Sequence, residues 1–171
     1  MDTSLHAQDI LIALKWAVLR EDESHSLREL SAATGVSKSA VAVSLKRLAA
    51  LKLLRPEGQG LRLNRLALRQ CVEHALQWLA PAKVGPIRRG FPTAHSAPAL
   101  VHALRGGDDL LVIPYRGGPA RGCAVSPLHP QAPFAAAHDE RMQALLALAD
   151  AFRVGRARDR AVAAQLIAGY I

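Results

Sequence analysis

The segment from Leu27 to Leu54, LRELSAATGVSKSAVAVSLKRLAALKLL, constrains the fold more than any other stretch of the chain. Ser26 just before it, with Glu29 three positions on, is a capping-box signature that starts a helix. Leu27, Leu30 and Ala33 give that helix an inward face, and it stops at Thr34-Gly35, where glycine can take the left-handed conformation that ends a helix. Val36 follows as an apolar plug, and Ser37 is the N-cap of a second helix from Lys38 to about Leu51. Val41, Leu45 and Leu48 fall on one side of this second helix and anchor it. Small residues at Ala32 and Ala33 let the two helices approach closely. The result is a pair of short helices meeting at a tight corner, with the start of the second pointing outward.

The flanking sequence supplies the rest of a compact module. Ile10, Leu11, Leu14, Ala17 and Val18 recur at helical spacing between His6 and Leu19, which predicts an amphipathic first helix. Leu53-Leu54-Arg55 and Leu61-Arg62-Leu63 flank Pro56-Glu57-Gly58-Gln59-Gly60, the pattern of a small β-hairpin with a glycine-rich tip. Asn64 is placed to cap a longer helix from Arg65 to Leu79 with Leu68, Val72, Ala75 and Leu79 on one stripe, ended by Pro81.

This stretch resembles the winged helix-turn-helix regulators of the MarR and IclR type, through Leu30, Thr34, Gly35, Val36, Ser37, Ser39, Val41, Ser44, Leu45, Leu48 and Leu54. The resemblance covers about a third of the chain. It implies binding of double-stranded DNA, with a recognition helix at about 38–50 in the major groove and a basic wing at about 53–63. Charge agrees: the formal net charge is +8, and between Arg28 and Arg69 nine Lys/Arg stand against two acids, Glu29 and Glu57. The candidate DNA-binding residues are Arg28, Ser37, Lys38, Ser39, Val43, Lys46, Arg47, Arg55, Gln59, Arg62 and Arg65. Lys38 and Lys46 can reach guanine edges and Val43 a thymine methyl, while Arg28, Arg47, Arg55, Arg62 and Arg65 suit phosphates. Ala40, Ala42 and Val43 stand where such helices carry polar readers, so the wing, DNA shape or half-site spacing must supply much of the specificity. The same apolar positions suit a second use, as a winged-helix protein-interaction subunit.

From Pro81 to Pro133 the composition turns rich in proline and glycine. Asp109 to Tyr115 is the best strand, with Arg121 to Ser126 as partner after the Arg116-Gly117-Gly118-Pro119 turn, and Ala97 to Leu104 a short helix. Two loops rich in glycine and arginine, 87–93 and 115–122, have the composition of an anion cradle but no P-loop pattern, and the simpler reading is solvated loop tips. Helices follow at Asp139 to Phe152, with Met142, Leu145, Leu146, Ala149 and Phe152 on the apolar face, and, after a break at Gly155, at Ala157 to about Ala168. Ser96 and Ser126 lie in no nucleophile elbow, and His95, His102 and His129 have no assigned partner, so no enzyme activity and no cofactor are expected. Cys71 and Cys123 show no ligand spacing and are expected to be reduced thiols with no metal. The texture of this half is similar to the regulators that accompany nucleotidyltransferase-type toxins, as in AbiE-like antitoxins. That likeness implies repression of the protein's own operon and a protein partner held by the C-terminal half.

The expected architecture is therefore α+β: a winged helix-turn-helix with its following helix over 1–80, then a small α/β domain with terminal helices over 81–171. The expected function is a DNA-binding repressor, with the antitoxin of a toxin–antitoxin pair as the alternative. A homodimer is expected through helix 65–79, with Leu76, Trp78 and Leu79 as the seam, or through the terminal helix ending in Leu166, Ile167, Tyr170 and Ile171. No apolar run approaches the roughly 20 residues that span a bilayer. The opening residues lack the basic and apolar blocks of a secretory signal, so no membrane partner and a cytoplasmic location are expected.

Overall fold

The computed structural model describes residues 4–19, 25–101 and 109–171. The chain is mixed α+β, in the order α1 (Ala7–Val18), α2 (Leu27–Thr34), α3 (Lys38–Ala50), β1 (Leu54–Glu57), β2 (Gly60–Leu63), a long helix α4, β3 (Val84–Pro92), α5 (Pro98–Val101), β4 (Leu111–Pro114), β5 (Ala120–Val125), α6 (Ala132–Ala137), α7 (Glu140–Val154) and α8 (Ala157–Ile167). Helix α4 runs from Arg65 to Leu79 as an α-helical stretch Arg65–Gln70, a π-helical turn Cys71–Ala75 and a last turn Leu76–Leu79.

Each cap expected in the first half forms. Ser26 accepts from the Glu29 amide at 3.3 Å and also pairs with the Glu29 carboxylate. Gly35 sits at φ +73°, Ser37 accepts from the Ala40 amide, and Asn64 accepts from the Ala67 amide. The hairpin closes with Leu54 opposite Leu63 and Arg55 opposite Arg62, turning over Gly58-Gln59 with Gly58 at φ +58°. Buried Leu54 and Leu63 root it on the body while the rest stays exposed.

Helix α1 departs from the amphipathic expectation, since every residue from Asp9 to Val18 is buried. The cause lies in the C-terminal half, because α7 packs against α1 and covers the side that α2 and α3 leave open. Buried residues form one cluster from Ile10 to Ile167. The two charges on α1 are neutralised from opposite sides. Asp9 takes a bidentate pair from Arg47 of α3, both contacts at 2.9 Å, and the Lys15 ammonium meets the Asp139 carboxylate at 2.6 Å. Asp139 is also the N-cap of α7, accepting from the Arg141 and Met142 amides. Burial acts to raise its carboxyl, but the Lys15 hydrogen bond and those amides outweigh it and hold the pKa below the ordinary carboxylate value.

The region from 84 to 125 corrects two expectations. Residues 87–92 are not a loop but six of the nine residues of strand β3, with Thr93 just past its end, and 120–122 open strand β5. The two strands expected as partners do pair, β4 and β5 running parallel through Leu111 and Cys123, and β3, absent from the expectation, lies antiparallel to both, pairing Gly90 with Pro114 and Arg88 with Gly122 to close a three-stranded barrel. At three points the backbone approaches too closely for a side chain. A Cβ on Gly90 would collide with the Ile113 carbonyl, one on Gly122 with the Leu110 carbonyl, and one on Gly118 with the Gly90 backbone. Pro86 sits at the register shift between Val84 and Ile87, where no ladder bond is lost. Of the short helix expected at 97–104, Pro98–Val101 is helical, Ala97 precedes it in an extended conformation, and 102–104, with His102, lie outside the described residues.

Beneath this barrel Asp150 of α7 is wholly buried, accepting from Thr93 Oγ1 at 2.7 Å and from Arg153 at 2.6 Å, while Arg153 also donates to the Ala80 carbonyl. Burial pushes the Asp150 carboxyl up against the opposing pull of Arg153 and Thr93. The network ties the end of α4, the end of β3 and α7 to one point. Ser96 and Ser126 also serve the backbone, accepting from the Leu111 and Lys83 amides. His129 accepts from the Gln131 amide at the start of α6, and burial lowers its pKa.

Candidate nucleic-acid interface

Helix α3 turns Val41, Ser44 and Leu48 inward. Gln8 of α1 fixes its rotation, with Nε2 donating to the Ala40 carbonyl at 3.2 Å and to Ser44 Oγ at 2.9 Å. Arg47 adds the second fixed point through Asp9. With one side held at Gln8 and Asp9, the opposite side carries Lys38, Ser39, Val43 and Lys46, all exposed, with Ala42 half-buried between them. Val43 is 49% exposed, an apolar residue left uncovered in the middle of this face.

The expected site residues divide into three groups. Lys38, Ser39, Val43 and Lys46 share the exposed side of α3, and neither lysine makes an ion pair among the described residues. Arg28 on α2, Arg55 on β1 and Gln59 at the hairpin tip are likewise exposed. Arg62 lies opposite Arg55 but is drawn to Glu57 at 2.7 Å, an ion pair open to solvent on both sides. Ser37 is occupied at the helix start, bonded to the Ala40 amide and to Ser39 Oγ. The remaining two arginines are engaged within the fold. Arg47 has only 15% of its side chain exposed and is clamped on Asp9, so its guanidinium faces the core helix. Arg65 donates to the Ala17 and Tyr170 carbonyls, stitching the chain's end to α1. Neither pairing was visible as a short-range pattern. The available signal was an acid, Asp9, at the head of an otherwise apolar run, which a buried position obliges to find a cation.

A cleft of about 490 Å³ separates the hairpin from the end of α1, bordered by Trp16, His25, Glu57, Leu61, Arg62 and Arg65. The hairpin therefore projects from the body, held at its root alone. Behind α3, the corner at Gly35 packs against Gln131 and Phe134 of α6, so the C-terminal half buttresses the turn.

The two helices expected to pair subunits lie elsewhere. On α4 the inward row is Leu68, Val72 and Leu76, and the outward row is Leu66, Gln70, His74 and Trp78, each spaced by four. An unbroken α-helix would let such rows drift round the axis, and the wider π turn at Cys71–Ala75 brings them back into line. Leu76 is fully buried, which removes it from the expected seam, while Trp78 is 77% and Leu66 is 66% exposed. On α8 Ile167 is buried and Leu166 is at the margin. Cys71 and Cys123 are unbonded and half-buried, and burial pushes the Cys71 thiol up.

Among the described residues no cluster of three or more His, Cys, Asp or Glu is placed to hold a metal ion, and no helix is long and apolar enough to cross a membrane. Compared with protein-family models, curated proteins and solved structures, the chain finds no match in any of the three.

Proposed function

We propose that this protein is a DNA-binding regulator that engages duplex DNA with the outer side of α3 and the β1–β2 hairpin, in the manner of a winged helix-turn-helix. The observation that carries this reading is the division of labour on α3. Arg47 and Ser44 are spent on holding the helix, while Lys38 and Lys46 stand exposed on the opposite side without carboxylate partners among the described residues. An α-helix is admitted by the major groove, and exposed cations on it, with Arg55 on the neighbouring hairpin, suit the phosphates that flank the groove. Repression is the simplest regulatory consequence, since occupancy of an operator is enough to produce it.

The outward row of α4 suits a homodimer. Its order, apolar–polar–polar–apolar from Leu66 to Trp78, is self-complementary in an antiparallel pair: Leu66 meets the second copy's tryptophan and Gln70 its histidine. A two-fold dimer of this kind would place two α3 helices on a palindromic site. A second reading, a protein-interaction subunit such as an antitoxin, is favoured by exposed Val43 at the centre of the α3 face.

Mobility shift with the DNA upstream of the protein's own gene tests the first reading. K38A/K46A/R55A is expected to abolish the shift while leaving the melting temperature unchanged. Undiminished affinity in that variant would reject it.

A further inference from the structure

The sequence repeats arginine beside glycine at Arg89-Gly90 and Arg121-Gly122. The barrel accounts for the glycines, because Gly90 and Gly122 face backbone that leaves no space for a Cβ. It does not account for the arginines. Arg89 and Arg121 are directly opposed in the β3–β5 ladder, so their side chains leave the same face of the sheet, and both are exposed. Like charges directly opposite across an antiparallel pair destabilise it. In the hairpin the equivalent pair, Arg55 and Arg62, is relieved by Glu57. In the barrel no carboxylate pairs with either arginine among the described residues. Arg89 donates one bond to the Gly118 carbonyl at 3.1 Å, which fixes its guanidinium and leaves its other donors outward. On β3 two residues beyond Arg89, Phe91 stacks on Tyr115 with the rings 5.1 Å apart.

We propose that Arg89 and Arg121 form a second contact surface for duplex DNA, gripping backbone phosphates with two opposed guanidinium forks. An anion between them turns a repulsive pair into a favourable one, and planar guanidinium matches phosphate oxygens in bidentate geometry. The surface is open, so a free small anion keeps its water. A duplex already engaged by the same protein presents its phosphates at high effective concentration. The proposal rests on the DNA reading above and adds to it a contact from the C-terminal half that is blind to sequence.

The test is fluorescence-anisotropy titration of labelled duplex from 50 to 200 mM salt, for the wild type, R89Q/R121Q, R89K/R121K and K38A/K46A/R55A. Losing two phosphate contacts flattens the dependence of log K on log salt by about 1.8, so the fourfold rise in salt costs the wild type about 12-fold more affinity than R89Q/R121Q. The lysine pair keeps the charge and is expected to retain the wild-type slope. Relief of the opposed charges predicts that R89Q/R121Q melts no lower than the wild type. An R89Q/R121Q slope equal to that of the wild type overturns the proposal, and if K38A/K46A/R55A is weakened in the same experiment the α3 reading survives alone. Loss in R89Q/R121Q with none in K38A/K46A/R55A supports the sheet contact and rejects the α3 site. Arg-dependent preference for a single-stranded oligonucleotide, or displacement of duplex by inorganic phosphate at constant ionic strength, overturns the duplex assignment.

Discussion

Replacing Arg47 by alanine separates a structural arginine from a DNA-contacting one. In the native chain its guanidinium makes two 2.9 Å bonds to a carboxylate that is wholly buried. Truncating one partner of a buried pair leaves the other charged without water and costs about 3–5 kcal/mol. Two features reduce the figure for R47A. Arg47 is 15% exposed, so solvent can reach the vacated space, and Asp9 keeps its bond from the His6 amide at 2.9 Å. The expected loss is therefore about 2–4 kcal/mol, roughly a 1 M fall in the urea midpoint for a protein of this size. Buried Trp16 reports unfolding by its emission, against a steady background from exposed Trp78. D9A/R47M, which removes both charges, should recover most of the loss, because an apolar replacement of both partners leaves no buried charge unpaired, only the His6 amide losing its acceptor. If R47A instead unfolds with the wild-type midpoint yet loses DNA affinity, the assignment of Arg47 to the core is wrong.

Other perturbations follow from single features. Lys52 sits at φ +60° just past α3, so K52G is expected to stabilise the fold by about 0.5–1 kcal/mol and raise the melting temperature by a few degrees. Asp139 has its folded pKa held below the unfolded value, so its contribution is complete above about pH 4 and fades as pH falls through the folded pKa. D139N keeps an N-cap but strands buried Lys15; chemical denaturation should show a loss of about 1–3 kcal/mol at pH 7 that shrinks towards pH 3. For the α4 row, L66S/W78S should convert a dimer into a monomer by light scattering without lowering the melting temperature, and a wild-type monomer at micromolar concentration would remove the dimer from the account.

The first eighty residues were legible because their signals are local. Ser26, Ser37 and Asn64 each cap a helix within three residues, and Gly35 occupies the left-handed corner its position demanded. What was not legible depends on distant partners. The burial of α1 on all sides needs α7, more than a hundred residues on, and the assignment of Arg47 to phosphates gave no hint of Asp9. β3 escaped notice because VGPIRRGFP carries two prolines and two glycines, residues that usually end strands. Gly90 persists here because a Cβ would collide with the Ile113 carbonyl, and Pro86 because it sits at the register shift. Leu76 was read onto an outward seam although it falls in the inward row with Leu68 and Val72, which the π turn keeps in line.

The most direct measurement is a backbone-amide NMR titration of the protein with duplex DNA taken from its own upstream region. The account predicts shifts and broadening concentrated at residues 37–46 and 55–62, with the buried positions Leu30, Leu68 and Leu145 unmoved. Perturbation confined to α4 or α6, or none up to saturating duplex, would contradict it.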